Sequence, residues 1–257
     1  MRNWLFLIVI FFISCEDTLL EPSDIGVTGE IDLDITVNSD KVPDNLIVWY
    51  PFNGNTNDES GNELNSTVYE AELDVDRHGE IDSSYSFSTY DSPSWGERDD
   101  IMVTEYNELM NVESFTLFAW IRWEEKPNPY KTRPSTIMSR QDGDGLYNIF
   151  RFKIYNEGEL LLQLGEEGVT SGYKVNRDEW THVAVSYDEG IVKFYVNSIL
   201  VNLISTDLEI STQPSHLTIG ETWLANGYWY HFNGDLDDVG ISNGSLTECE
   251  IRNLYEL

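Results

Sequence analysis

The chain has 257 residues, of which 40% are hydrophobic and 13% aromatic. This is enough apolar material for a large folded core, and it excludes a disordered chain. The formal net charge of −31, from 46 acidic and 15 basic residues, repels nucleic acid and anionic membrane surfaces, and it favours a hard cation such as Ca²⁺, which takes several oxygen ligands.

The N-terminus has the pattern of an export signal. Arg2 precedes an apolar run over residues 4–13, which is too short for the roughly 20 residues that span a bilayer as a helix. The run ends in Phe12-Ile13-Ser14-Cys15, which resembles the lipobox of bacterial lipoproteins, although Phe12 stands where leucine is usual. The resemblance implies a signal peptide over residues 1–14 and lipid attachment at Cys15. An ordinary cleaved signal followed by a chance cysteine is the alternative.

We therefore expect a lipid-anchored protein of the bacterial cell envelope, held at the outer membrane or cell surface, that touches the membrane only through its lipid. Residues 15–45 are predicted to form an acidic tether, because residues 16–45 hold nine acids, one lysine and few large apolar side chains. Within this tether, residues 30–34 (EIDLD) partly resemble the paired-carboxylate strand of laminarinase-like glycosidases. A tether cannot hold two carboxylates at the fixed separation that glycoside hydrolysis requires.

From Leu46 the sequence changes to short β-branched and aromatic runs separated by Gly, Asn, Asp and Pro. This pattern is typical of a many-stranded β-sandwich. The chain has only two cysteines, Cys15 and Cys249. Because Cys15 is assigned to the lipid, we expect the two not to pair, so that the core has to supply the stability without a disulfide framework. The predicted strands are residues 46–52, 67–73, 85–87, 100–103, 115–123, 136–140, 147–155, 159–164, 181–187, 191–196, 199–205, 217–220, 230–234 and 236–242.

Two local features are clearer than the rest. Residues 183–187 and 192–196 alternate apolar and polar side chains and are joined by Asp188-Glu189-Gly190, which predicts a β-hairpin. Near the C-terminus, Ser245 and Glu248 have the spacing of a capping box ahead of Ile251, Leu254 and Tyr255. This predicts a short terminal helix.

Five motifs, taken together in order and spacing, resemble a laminin-G-like domain of the concanavalin A-like lectin/glucanase superfamily. The resemblance covers nearly all of residues 46–257 and implies an all-β, jelly-roll sandwich of two antiparallel sheets with a short C-terminal helix. One departure is Asn197-Ser198, where the family usually has Asn-Gly. The motifs are residues 48–54 (VWYPFNG), 58–62 (DESGN), 114–121 (SFTLFAWI), 180–188 (WTHVAVSYD) and 232–239 (FNGDLDDV).

The resemblance also implies a structural calcium site in which the first long loop meets the last strand. Oxygen-bearing side chains are abundant in both segments, as Ca²⁺ requires. A plain turn is the alternative for the loop, since Asp, Ser, Gly and Asn are turn residues for backbone reasons alone. The candidate ligands are Asp58, Ser60, Asn62, Asn65, Asp237 and Asp238.

A carbohydrate ligand is the second expectation. Aromatic side chains in loops offer flat apolar surfaces on which sugar rings stack, and the candidates for such contacts are Trp95, Trp223, Tyr228 and Trp229. Buried aromatics of an ordinary sandwich core are the alternative.

The sequence carries no nucleophile elbow, phosphate-binding loop or metal-binding histidine spacing. We therefore expect a non-catalytic envelope lipoprotein that binds a glycan or another surface ligand. A protein-interaction subunit of a surface complex and a glycoside hydrolase or lyase of the same superfamily remain the alternatives.

Overall fold

The computed structural model describes residues 42–87, 102–126, 134–141, 148–155, 157–222 and 230–257. These residues form fifteen β-strands, a short 3-10 helix at Glu108–Met110 and one α-helix. No described helix is long and apolar enough to cross a membrane. The elements are β1 Leu46–Tyr50, β2 Thr67–Val68, β3 Glu72–Asp74, β4 Ser84–Phe87, β5 Met102–Thr104, β6 Phe115–Trp123, β7 Ser135–Gln141, β8 Asn148–Tyr155, β9 Glu159–Leu164, β10 Glu167–Lys174, β11 Thr181–Asp188, β12 Ile191–Val196, β13 Ile199–Ser205, β14 His216–Ile219, β15 Gly234–Asn243 and α1 Glu248–Glu256.

The strands form two antiparallel sheets, as the sequence predicts. One sheet has eight strands in the order β13-β12-β11-β6-β15-β4-β3, with β1 also paired to β15. The other has seven strands in the order β10-β9-β8-β7-β14-β5-β2. The all-β, concanavalin A-like sandwich with a C-terminal helix is therefore confirmed.

Three differences separate the predicted elements from the observed ones. The single strand predicted over residues 67–73 is two short strands, β2 and β3, which belong to different sheets. Strand β10 was not predicted, because it lies at a sheet edge, contains two glycines and has no alternation of apolar residues. Residues 230–233 are not a strand, although Tyr230 exchanges backbone hydrogen bonds with Thr222 across the base of a loop. The Asn197-Ser198 turn keeps positive φ at both positions, 48° and 63°, so Ser198 accepts the left-handed conformation that glycine adopts more easily.

The main core fills the space between the sheets. Strand β8 shows how it forms: Phe150, Phe152 and Ile154 are buried in the main apolar core, while the alternate residues Arg151 and Lys153 point to the opposite face of the sheet. The other strands contribute in the same way, since inward positions are apolar along β6, β9, β11 and β12. Alternation thus defines one inner and one outer face for each sheet.

Helix α1 covers part of the outer face of the eight-stranded sheet. Its buried residues Ile251 and Leu254 pack in a second apolar cluster with Phe118 and Tyr195. Cys249 in this helix is disulfide-bonded, so the expectation that no disulfide supports the fold is wrong. The capping box consists of Thr247 and Glu250, two residues later than the predicted Ser245 and Glu248 pair. Among the described residues no helix covers the seven-stranded sheet, yet Ser139, Arg151 and Lys153 at the centre of its outer face are buried.

Candidate functional site

The end of the sandwich that holds the predicted calcium residues is shaped by a bulge in β15. Leu236 pairs with β4 and Val239 pairs with β1, and the register against β6 shifts between Asp237 and Gly240. Asp238 has φ 46°, in the left-handed region. A bulge redirects side chains locally, and here both aspartate carboxylates reach the same arginine.

Arg77 is that arginine, and it comes from the loop between β3 and β4. Its Nη1 donates to Asp237 Oδ2, and its Nη2 lies 2.7 Å from Asp238 Oδ2. The guanidinium also lies over the ring of Trp120, 4.7 Å from its centroid. All three charged side chains are at least nine-tenths buried. We call Arg77, Asp237 and Asp238 the arginine clasp.

The clasp holds one cation against two acids. Burial, followed by repulsion from Asp238, raises the pKa of Asp237 to about 8, and burial likewise raises the pKa of Asp238 despite the attraction of Arg77. Both shifts have the same physical meaning, because two buried carboxylates cannot both be ionised at low cost beside a single guanidinium. The pair therefore retains a proton near neutral pH.

The first long loop is held by Asp58, whose carboxylate accepts hydrogen bonds from protein groups on both oxygens. Oδ1 accepts from the backbone nitrogens of Trp49 and Ser60, at 3.0 and 2.9 Å. Oδ2 accepts from Ser60 Oγ at 2.9 Å and from the Leu64 nitrogen at 3.0 Å. The Asn65 side chain accepts from the Asp58 nitrogen at 2.9 Å. The loop is thus fixed by direct hydrogen bonds.

All six predicted calcium ligands lie around β1. Asn62 donates from Nδ2 to the carbonyls of Leu46 and Ile47, at 2.9 and 3.0 Å. The Trp49 nitrogen donates to Asp58, and its indole nitrogen donates to Asp238 at 3.0 Å. The loop and the last strand therefore meet at this tryptophan, as the resemblance implies.

These contacts do not fit a Ca²⁺ ion, which takes six to eight oxygen ligands. The Asp58 oxygens already accept four hydrogen bonds, and the carboxylates of the arginine clasp face a guanidinium. No group of three or more His, Cys, Asp or Glu within the described ranges is arranged to hold a metal. The calcium site stays a prediction.

A pocket of about 510 Å³ opens beside the clasp. Its walls combine an aromatic ring, amides and charged groups, but the two aspartates and Arg77 satisfy one another. The lining includes Trp49, Pro51, Arg77, His78, Asp237 and Asp238.

The four aromatic residues predicted to contact a ligand, Trp95, Trp223, Tyr228 and Trp229, lie outside the described residues. The flanks of residues 223–229 are described. Thr222 and Tyr230 pair through two backbone hydrogen bonds, and the Thr222 hydroxyl donates to Gln141 Oε1 of β7 at 2.8 Å. The two residues that flank the predicted aromatics, Thr222 and Tyr230, therefore lie beside the seven-stranded sheet.

The outer face of this sheet carries a row of small and polar side chains. Strand register places one residue from each of seven strands in the row: Thr67, Val103, Thr218, Ser139, Arg151, Gln163 and Gly168. The neighbouring row contains Thr136 and Lys153. Thr136 Oγ1 and Arg151 Nε are buried and make no hydrogen bond within the described structure. Both are unpaired polar atoms that solvent does not reach in this structure.

Arg151 and Lys153 are the charged residues at the centre of this face, and sequence reasoning missed them. Each is only 3% exposed. Lys153 Nζ donates to Gln163 Oε1 at 2.7 Å and lies 5.6 Å from the centroid of the Tyr230 ring. Burial, reinforced by the charge of Arg151, lowers the pKa of Lys153 to about 7, and burial also lowers the pKa of Arg151. The available signal was two basic residues at alternate positions of an otherwise apolar strand.

Solved structures share this architecture. Domain 4 of AbnA, a GH43 extracellular arabinanase from Geobacillus stearothermophilus, was solved in complex with arabinotriose. It matches with a TM-score of 0.60 and 18% identity, over 82% of this chain and 98% of that chain. The similarity at this identity concerns the fold.

The binding domain of Botulinum neurotoxin DC was solved with rat synaptotagmin II and with SialylT. These structures match with TM-scores of 0.62 and 0.61 and identities of 16% and 17%, over 84% of this chain and 52% of the toxin chain. The chain thus spans about half the length of the toxin domain. No curated protein matches it.

The Laminin_G_3 family model, described as the concanavalin A-like lectin/glucanases superfamily, matches residues 96–252. The match covers more than half of the chain and includes most of both sheets, and the two-sheet architecture agrees with it. The chain therefore belongs to this family of concanavalin A-like, lectin-type sandwiches.

Proposed function

We propose that this protein is a non-catalytic module that binds a carbohydrate on the outer face of its seven-stranded sheet. The observation that carries the proposal is the row of hydrogen-bonding side chains across that face, centred on Arg151 and Gln163. Sugar hydroxyls both donate and accept hydrogen bonds, so a mixed surface of hydroxyl, amide and cationic groups is complementary to them. Tyr230, which is half-buried with its ring over Lys153 Nζ, adds an aromatic side chain beside these groups.

This face is favoured over the pocket beside the arginine clasp for two reasons. The polar groups of the clasp are satisfied by one another, whereas Thr136 and Arg151 have hydrogen-bonding atoms without partners in the described part of the chain. In addition, Thr222, which directly precedes the segment with Trp223, Tyr228 and Trp229, is hydrogen-bonded to this sheet. Stacking and hydrogen bonding would then come from one surface.

Relatives support a binding role. The AbnA domain was solved with arabinotriose, and the toxin domain was solved with SialylT. The central rows of the face carry cations, hydroxyls and an amide, and no paired carboxylates occur among their described residues. Glycoside hydrolysis needs two such carboxylates about 5–10 Å apart. This supports binding rather than catalysis.

Display at the cell envelope completes the proposal. Lipid attachment at Cys15, followed by an acidic tether over residues 16–45, would hold the sandwich away from the membrane. Replacing Cys15 with alanine should move the protein from the membrane fraction to the soluble fraction, and mass spectrometry of the wild-type N-terminus should show a diacylglyceryl group. Cys249 is disulfide-bonded, and Cys15 is the other cysteine of the sequence. A Cys15 that carries a free thiol, or that is joined to Cys249, would therefore contradict the anchor and leave the binding proposal intact.

A glycan array tests the binding proposal. Wild-type protein should bind at least one class of glycan, and Trp229→Ala should weaken that signal. Ile199→Ala is the matched control, because Ile199 is an exposed apolar residue on the other sheet. Equal signals from all three proteins would refute a role for the loop aromatics, and no signal from wild type would refute glycan binding.

A protein ligand is the second candidate, since the same toxin domain was also solved with rat synaptotagmin II. Retention of a protein partner by material that binds no polysaccharide would favour that function.

A further inference from the structure

We infer that the glycan recognised by the seven-stranded sheet is an acidic one, whose carboxylate or sulfate group is bound by Arg151 and Lys153. The inference rests on the proposed function, because it names the class of ligand for the same face. It depends on the placement, burial and partners of these two side chains.

Their placement is set by β8. Arg151 and Lys153 are separated by one residue, so both point to the outer face while Phe152 between them packs in the core. Arg151 lies opposite Ser139 on one side and Gln163 on the other. Two cations thus project side by side from the middle of the sheet, where hydroxyl and amide groups surround them.

Their burial makes this arrangement costly without a counter-ion. Both residues are 3% exposed, and a buried charge is tolerated when it is paired and hydrogen-bonded. Neither forms an ion pair with a described acid; Lys153 has one hydrogen bond to Gln163, and Arg151 Nε has none. Glu166, in the exposed turn after β9, acts on both only through its longer-range field. An anionic ligand group would supply the missing partner.

The position of these two cations differs from the charge of the rest of the molecule. In a chain with net charge −31, most surface positions repel an anion, yet two of the 15 basic residues meet at the one sheet face that no described helix covers. In the arginine clasp, the charge of buried Arg77 is balanced within the protein, since Arg77 contacts two carboxylates. Arg151 has no such carboxylate partner among the residues that the structure describes, and its planar fork suits a carboxylate or sulfate.

Matched glycan pairs test the inference. Binding should be measured for sialyllactose against lactose, for oligogalacturonate against its methyl ester, and for a sulfated oligosaccharide against its desulfated form. We expect at least one acidic member to bind at least about tenfold more tightly than its neutral partner, which is the usual effect of one charge-assisted hydrogen bond. The first two pairs identify a carboxylate, and the third identifies a sulfate.

Variants then assign the effect to the two cations. Lys153→Met keeps the aliphatic stem and removes the charge, and it should lower affinity for the acidic glycan about tenfold with little change for the neutral one. Lys153→Arg, which keeps a cation, should retain the preference. Lys174→Met is the control, because Lys174 is an exposed lysine on β10 of the same sheet. Thermal melting checks that each variant is folded.

Three results would overturn the inference. Equal binding of acidic and neutral partners by wild type would refute it while leaving carbohydrate binding in place. A loss in Lys153→Met that is the same for both partners would show a purely structural role. Absence of binding to every glycan would refute the inference together with the proposed function.

Discussion

Replacing Arg77 with methionine removes the guanidinium of the arginine clasp and leaves Asp237 and Asp238 facing each other with less than a tenth of their side-chain area exposed. Breaking a buried ion pair by removing one partner costs about 3–5 kcal/mol, and the contact with Trp120 adds about 0.5–2 kcal/mol. Because the aspartate pair already retains a proton near neutral pH, we expect a loss of stability at the lower end of this range, about 3 kcal/mol. For a chain of this size that corresponds to a fall in Tm of about 6–12 °C.

The loss should depend on pH. A carboxyl whose folded pKa is raised contributes stability below its unfolded pKa, and it loses that contribution as pH rises through the folded pKa. The pKa of Asp237 is about 8 with Arg77 present, and removing the cation raises it further. The difference in Tm between wild type and Arg77→Met should therefore be small at pH 5 and grow toward pH 9.

Arg177→Met is the matched control for this measurement. Arg177 also combines an acid and a tryptophan, since its guanidinium lies 3.3 Å from Glu125 and 5.1 Å from the centroid of the Trp123 ring. It is about one-third exposed, so the loss should stay below about 1 kcal/mol. Thermal melts followed by circular dichroism at pH 5, 7 and 9 provide the test. Equal losses in the two variants, or a loss in Arg77→Met that does not change with pH, would refute the reasoning.

Three further predictions concern pH, calcium and the terminal helix. Affinity for an acidic glycan should fall between pH 6 and 8, because Lys153, beside Arg151, Glu166 and Tyr230, loses its charge near its pKa of about 7. Lys153→Arg should abolish this pH dependence, and a wild-type affinity that does not change with pH would contradict the prediction. If the predicted calcium site is occupied, EDTA should lower Tm. The contacts of the arginine clasp favour the opposite result, the same Tm with EDTA and with Ca²⁺, and thermal melting under both conditions distinguishes the two. Thr247→Ala should destabilise the protein by about 1 kcal/mol because it removes the helix cap, and a larger loss in Ser245→Ala than in Thr247→Ala would show that the cap lies where the sequence predicts it.

Local pattern was sufficient for much of the fold. The bounds of β6, β9, β12 and β13 were predicted from the sequence to the residue, because their alternation is strong and their ends coincide with turn residues. Strand β10 could not be found in this way, since its residues do not alternate and its position follows from backbone pairing with β9. The helix cap was displaced by two residues because Ser245 and Thr247 both begin a capping-box spacing, and packing of Ile251 and Leu254 selects the second.

For the candidate sites too, some features follow from the sequence and others only from the tertiary structure. Composition and ordered motifs determined an acidic, all-β sandwich of the concanavalin A-like type, because burial patterns and turns are encoded in short stretches of sequence. Only the tertiary structure decided which charges meet. Arg77 and Asp237 are 160 residues apart in sequence, and a bulge in β15 brings them together where a calcium ion was expected. Arg151 and Lys153 stand out only after pairing with β7 and β9 places them, buried, at the centre of the outer face, because long-range strand register has no signature in the residues themselves.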